Sequence, residues 1–154
     1  MTIYDRDFGV GHPVPPIVRP WPLPDRDTTP FWEAQNRHEL AFQQCVRCAH
    51  VRYPVGPMCP ECFSFDFEWL ASSGRGTVYS YTVVHHQTHP AFPAPYTVVL
   101  AEMEEGPRVI AQLRPAGDVR PAIGAAVHIE WEDGPHQALP VFVLDSGQRT
   151  ERLG

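Results

Sequence analysis

Three features of the sequence predict a mainly β protein. After residue 76, five runs are rich in Val, Ile, Tyr and Phe: TVYSYTVVH, YTVVLAEM, RVIAQLR, AVHIEW and PVFVL. Upstream of them lie two closely spaced Cys-x2-Cys pairs. Proline makes up 18 of 154 residues, and seven of these fall in the first 30 positions, where they break any hydrogen-bonded ladder. Together these predict an N-terminal extended arm and short helix, a metal-held ribbon, and a five-stranded OB-type barrel. A sandwich fits less well, because it ordinarily uses about seven strands.

Composition narrows the function. The formal charge is −6, and all 12 basic residues are Arg. A chain without Lys has no Schiff-base lysine and no ordinary P-loop. An acidic balance also opposes general nucleic-acid binding, which needs a basic excess. No apolar run approaches the ~18 residues of a membrane span. The opening MTIYDRDFGVGH has no apolar stretch of the secretory kind, so a cytoplasmic location is expected. There, cysteines bind metal more often than they pair.

Residues 1–27 are read as the Pro-rich arm. Pro13, Pro15, Pro16, Pro20, Pro22, Pro24 and Pro30 favour extended backbone, yet Ile17, Val18, Trp21 and Leu23 sit among them. Such side chains need a surface, on this chain or on a partner. Residues 28–39 predict a short helix: Thr28 or Thr29 caps it, Pro30 suits its first turn, and good helix formers follow. Phe31 and Trp32 form its bulky head. Residues 40–70 hold the ribbon, with Phe63, Phe65, Phe67 and Trp69 alternating as on one face of a strand. Residues 71–145 hold the barrel and 146–154 a C-terminal tail.

The cysteines follow Cys45-x2-Cys48-x10-Cys59-x2-Cys62. Two such knuckles place four thiolates at the corners of a tetrahedron, the geometry zinc takes at about 2.3 Å per sulfur. Zinc is the expected ion; iron in the same ligand set, or disulfides, are the alternatives. Four thiolates leave no open coordination position, so the site is structural. The residue after Cys48 is Ala49, where Gly would take a left-handed turn more cheaply.

The order of parts now resembles a known family. The knuckles CVRC and CPEC, then GRGTVYSYTVVHH, PAFPAPYTVVLAEMEEG, IGAAVHIEW and LPVF, resemble the acyl-CoA-associated OB-fold proteins with an N-terminal rubredoxin-like zinc ribbon, over roughly residues 24–144. The resemblance implies an accessory subunit in a stable hetero-oligomer with a thiolase-like or lipid-transfer-protein-like catalytic subunit. The partner would carry carbon–carbon bond chemistry on an acyl-CoA: thiolysis, Claisen-type transfer or steroid side-chain retro-aldol cleavage. The sequence agrees with a non-catalytic role. It has no Cys outside the knuckles and no Gly-x-Ser-x-Gly, Walker or Gly-x-Gly-x-x-Gly motif.

Under this reading Trp21, Leu23, Phe31 and Trp32 are candidate partner contacts. His85, His86, Phe92 and Tyr96 lie in or beside the first long barrel loop, and with Arg75 are candidate contacts to CoA or substrate. His85, His86 and His89 could in principle hold a second metal, but they lack the helical spacing that fixes such ligands and read as solvated or partner-facing. Arg75, Arg108, Arg114 and Arg120 are the cations near the barrel that suit a phosphate. Glu102, Glu104 and Glu105 read as an exposed edge. The competing function is a nucleic-acid-binding zinc ribbon with an OB fold, which the charge opposes.

Overall fold

The computed structural model describes residues 19–147. Sequence expectations for residues 1–18 and 148–154 lie outside them. Helix α1 spans Thr29–Asn36. Strands β1 (Ala41–Cys45), β2 (Val51–Arg52) and β3 (Phe67–Ala71) form a three-stranded ribbon in the order β2-β1-β3. Strands β4 (Arg75–Val84), β5 (Tyr96–Met103), β6 (Arg108–Arg114), β7 (Ala126–Asp133) and β8 (Ala138–Leu144) close into a barrel in the order β4-β5-β6-β8-β7. All barrel pairs are antiparallel except β6 with β8.

Helix α1 is shorter than the 28–39 segment, and its start is built differently from the expectation. Thr28 makes no side-chain cap to the helix. Asp25 organises the turn instead, accepting hydrogen bonds from the Thr28 amide and hydroxyl and from the Asp27 amide. At the other end His38 turns into the left-handed region (φ 61°). Its ring stacks on Trp131 and its Nε2 meets the Asp133 carboxylate at 2.7 Å, fastening the helix exit to β7. Asn36 adds a second fastening by accepting from the Ala138 amide.

Period-two patterning fills the barrel. Val99, Ala101 and Met103 of β5 and Val109 and Leu113 of β6 point inward with Val78, Val127 and Phe142. The same core takes in Phe31 from the helix and Leu40 and Phe42 from the ribbon. Ribbon, helix and barrel therefore share one apolar centre. Gly76 permits the closest strand approach: a Cβ there would sit 2.6 Å from the Glu102 carbonyl oxygen.

The expected strand through residues 63–69 starts only at Phe67. Phe63 is left-handed (φ 59°), and Phe63 and Phe65 are exposed. The second knuckle overrides the alternation: the Phe63 amide donates to the Cys59 carbonyl and the Cys59 amide to the Ser64 carbonyl.

Glu105, expected on an exposed edge, clasps the ribbon–barrel joint. It accepts from the Ser72 hydroxyl and the Ser73 amide. Burial raises its carboxyl, but these hydrogen bonds outweigh that and hold it below the usual range. A lowered folded pKa adds stability above the unfolded value, and that stability is lost as pH falls through the folded pKa. Glu105→Gln should therefore cost about 1 kcal/mol at neutral pH, a deficit that shrinks in acid, as read from urea melts across pH. Phe42 is fully buried, and Phe42→Ala should cost about 3–5 kcal/mol in the same melts.

Candidate metal centre and the surfaces around it

The ribbon brings its four cysteines together by local hydrogen bonding. The Cys45 amide donates to the His50 carbonyl and the Ala49 amide to the Cys45 carbonyl, which closes the first knuckle. The second closes the same way around Cys59 and Phe63. All four Sγ atoms lie within 4.8 Å of one another. Cys45 and Cys62 approach to 3.5 Å, Cys48 and Cys59 to 3.6 Å. A tetrahedron with about 2.3 Å metal–sulfur bonds has edges of about 3.8 Å, so the cluster already matches a four-thiolate zinc site. Cys45 and Cys59 are buried, and Cys48 is exposed.

Backbone amides prepare the sulfurs. The Cys48 N–H, aimed at Cys45 Sγ, leads in pulling that thiol down to about 6. Burial pushes the Cys59 thiol up, but the Cys62 and Glu61 amides outweigh it. Cys48 receives the His50 N–H, yet burial and the surrounding sulfurs push it up to about 12. The four thiols therefore titrate as a coupled set, and a metal that binds them must displace their protons. Both knuckles need a left-handed residue after their second cysteine: Ala49 and Phe63 each have φ 59°.

The other candidate residues do not form one site. Arg75 opens β4, whereas His85 and His86 follow its far end. A ten-residue strand spans about 30 Å, so Arg75 shares no contact with that loop. Phe92 and Tyr96 are half-buried on the loop side. Among the described residues the four cysteines are the one converging set of metal-type ligands; the three loop histidines do not join one. Arg75, Arg108, Arg114 and Arg120 each lie beside a carboxylate.

The expected partner contacts divide. Phe31 is 5% exposed and belongs to the chain's own core, edge-on to Trp32, so it is not an outward anchor. Trp21 lies on Gly134 of the barrel, where any Cβ would strike its ring. Leu23 is 89% exposed. Trp32 lines a cleft of about 400 Å³ between helix, ribbon and barrel, with Tyr53, Val55, Ile110 and Pro140. Arg19, which no local pattern singles out, ion-pairs with Glu132 and lies over the Trp21 and Phe92 rings, tying the arm to the barrel loop.

Fold and site define a zinc-ribbon protein fused to an OB barrel. Residues 32–68 match the ChsH2 rubredoxin-like zinc ribbon domain and residues 69–132 the ChsH2 C-terminal OB-fold domain. A DUF35 domain-containing scaffold protein of Methanothermobacter thermautotrophicus is 35% identical over 108 residues, covering 64% of this chain and 81% of the relative. The chain belongs to this ChsH2/DUF35 family. The solved Ltp2-ChsH2(DUF35) aldolase matches with a TM-score of 0.74 and 40% identity, over 80% of this chain and 98% of that one. A probable enoyl-CoA hydratase alpha subunit of Thermomonospora curvata is 42% identical over 129 residues, or 83% of this chain. The chain spans 40% of that relative's length. Among the described residues no helix is long and apolar enough to cross a membrane.

The purified, reduced protein should carry one zinc per chain by elemental analysis, and Cys48→Ser should lose it. Ala49→Gly should stabilise the metal-bound ribbon by up to about 1 kcal/mol, measured by thermal melting.

Proposed function

We propose that this chain is a non-catalytic, zinc-binding accessory subunit of an acyl-CoA-processing complex. Its partner would be a thiolase-like or lipid-transfer-protein-like catalytic subunit that makes or breaks a carbon–carbon bond on a CoA thioester. One observation carries the reading: all four thiols of the chain converge on a closed metal site. That leaves no thiol free to act as a nucleophile, and four sulfurs leave a metal no open position. Likeness to the ChsH2(DUF35) component of an aldolase supports the same reading. A reduced four-thiol site suits the cytoplasm.

Leu23 and Trp32 are the arm and helix residues we assign to the partner. The loop carrying His85, His86, Phe92 and Tyr96 is the part we assign to the acyl-CoA thioester in the assembled complex. Arg75, at the far end of β4, has no place in that contact. Nucleic acid is disfavoured because the barrel arginines already face carboxylates and the chain is acidic overall.

The purified chain alone should turn over no acyl-CoA, measured by thiolysis and retro-aldol assays with free CoA detection. Turnover by the chain free of any partner would contradict the accessory role. Leu23→Ser should weaken co-purification of the catalytic subunit and leave the melting temperature of the isolated chain unchanged.

A further inference from the structure

Apolar side chains stand in the open around the metal knuckles. Val46 is 64% exposed, Phe63 67%, Phe65 69% and Trp69 38%. Val46, Phe63 and Phe65 flank the two knuckles, and Trp69 lies further along β3, opposite Gln43. Val46 follows ligand Cys45, Phe63 follows ligand Cys62, and the Val46 amide donates to the Asp66 carbonyl, which brings Phe65 alongside. The Trp69 ring meets Phe67 edge-on at 5.6 Å, and Phe67 pairs with Cys45 across the sheet. With aromatic side chains of about 150–250 Å² each, the open apolar area is on the order of 400 Å². The largest apolar patch on a single chain is commonly about 300–600 Å² and is often functional.

Phe63 is the telling residue. The knuckle requires a left-handed backbone there, which costs a bulky side chain about 1–2 kcal/mol. Glycine would meet the requirement without that strain. The chain instead holds a strained phenylalanine and leaves its ring in water, so neither backbone economy nor its own core explains the choice.

Charge states what covers the patch. Glu61 and Asp66 are exposed next to Phe63 and Phe65 along the chain, with Arg47 as the one cation on the first knuckle. A divalent ion held by four thiolates adds two net negative charges beneath. A second copy packing there about a two-fold axis would set these carboxylates against themselves. An acidic nucleic acid would be repelled. The fitting occupant is an apolar hollow with an arginine or lysine rim.

We propose that the knuckle end of the ribbon is the docking face for the catalytic subunit, with Phe63 and Phe65 as its anchors and the metal as the brace that holds them out. This rests on the accessory reading above and adds the surface and the chemistry of its counterpart.

The test uses the full zinc-loaded chain and, as probe, the purified Ltp2 subunit of the solved aldolase. Phe63→Gly removes the anchor and relieves the strain together. It should keep its zinc and melt no lower than wild type, yet bind Ltp2 about 10- to 100-fold more weakly. Phe65→Ser should weaken binding similarly, and Asp66→Arg should slow association. Amide exchange in the complex should show new protection over residues 61–69. If wild type binds and Phe63→Gly with Phe65→Ser binds equally well, or protection falls only on arm and barrel, this proposal fails and the accessory reading stands. If wild type forms no complex with Ltp2, the accessory reading fails and carries this proposal with it. A wild-type homodimer that Phe63→Gly dissolves would assign the face to a second copy and overturn the proposal.

Discussion

Four sulfurs within 4.8 Å of one another are the constraint on which the outer half of this molecule depends. Between Cys45 and Phe67 the chain has only the two-residue strand β2 and few buried apolar side chains. Backbone hydrogen bonds shape each knuckle, but a knuckle is a turn, and turns alone offset little of the entropy of ordering. A shared cation links the two turns across the intervening residues and turns binding energy into folding energy. The inner half is different. Phe31, Leu40 and Phe42 are sunk into the barrel's own core, so helix and β1 stay seated by apolar burial.

This division assigns the parts their work. The barrel is a closed, paired framework with no free edge to pair with another chain. The joint between the halves is fastened by the Glu105 clasp on Ser72 and Ser73 and by the His38–Trp131 stack. Such a joint fixes the direction in which the ribbon presents its outer end. What lies there is apolar and acidic, the qualities of the docking face proposed above.

Much of this was legible in the sequence. The five barrel strands follow from β-branched and aromatic runs, because period-two burial is a local property. The metal site follows from spacing, because a Cys-x2-Cys turn has one way to aim two sulfurs at a common ion. Where the structure departs from the local pattern, tertiary contacts decide. Alternation over residues 63–69 suggested a strand, but the second knuckle claimed Phe63 first. Local pattern leaves Phe31 equally suited to the chain's own core or to a partner, and its ring packs in the shared core with Leu40 and Phe42. Glu105 and Arg19 carry no local signal, since their partners lie 32 and 113 residues away. The set of possible CoA contacts dispersed because strand length, not sequence distance, separates Arg75 from His85.

The most direct test of the account is amide hydrogen exchange on the isolated chain before and after a chelator strips the metal. The account predicts that residues 46–66 lose protection while β4 to β8 and Leu40–Phe42 keep theirs, since the core does not draw on the metal. Uniform loss across ribbon and barrel, or a ribbon that stays protected without metal, would contradict it.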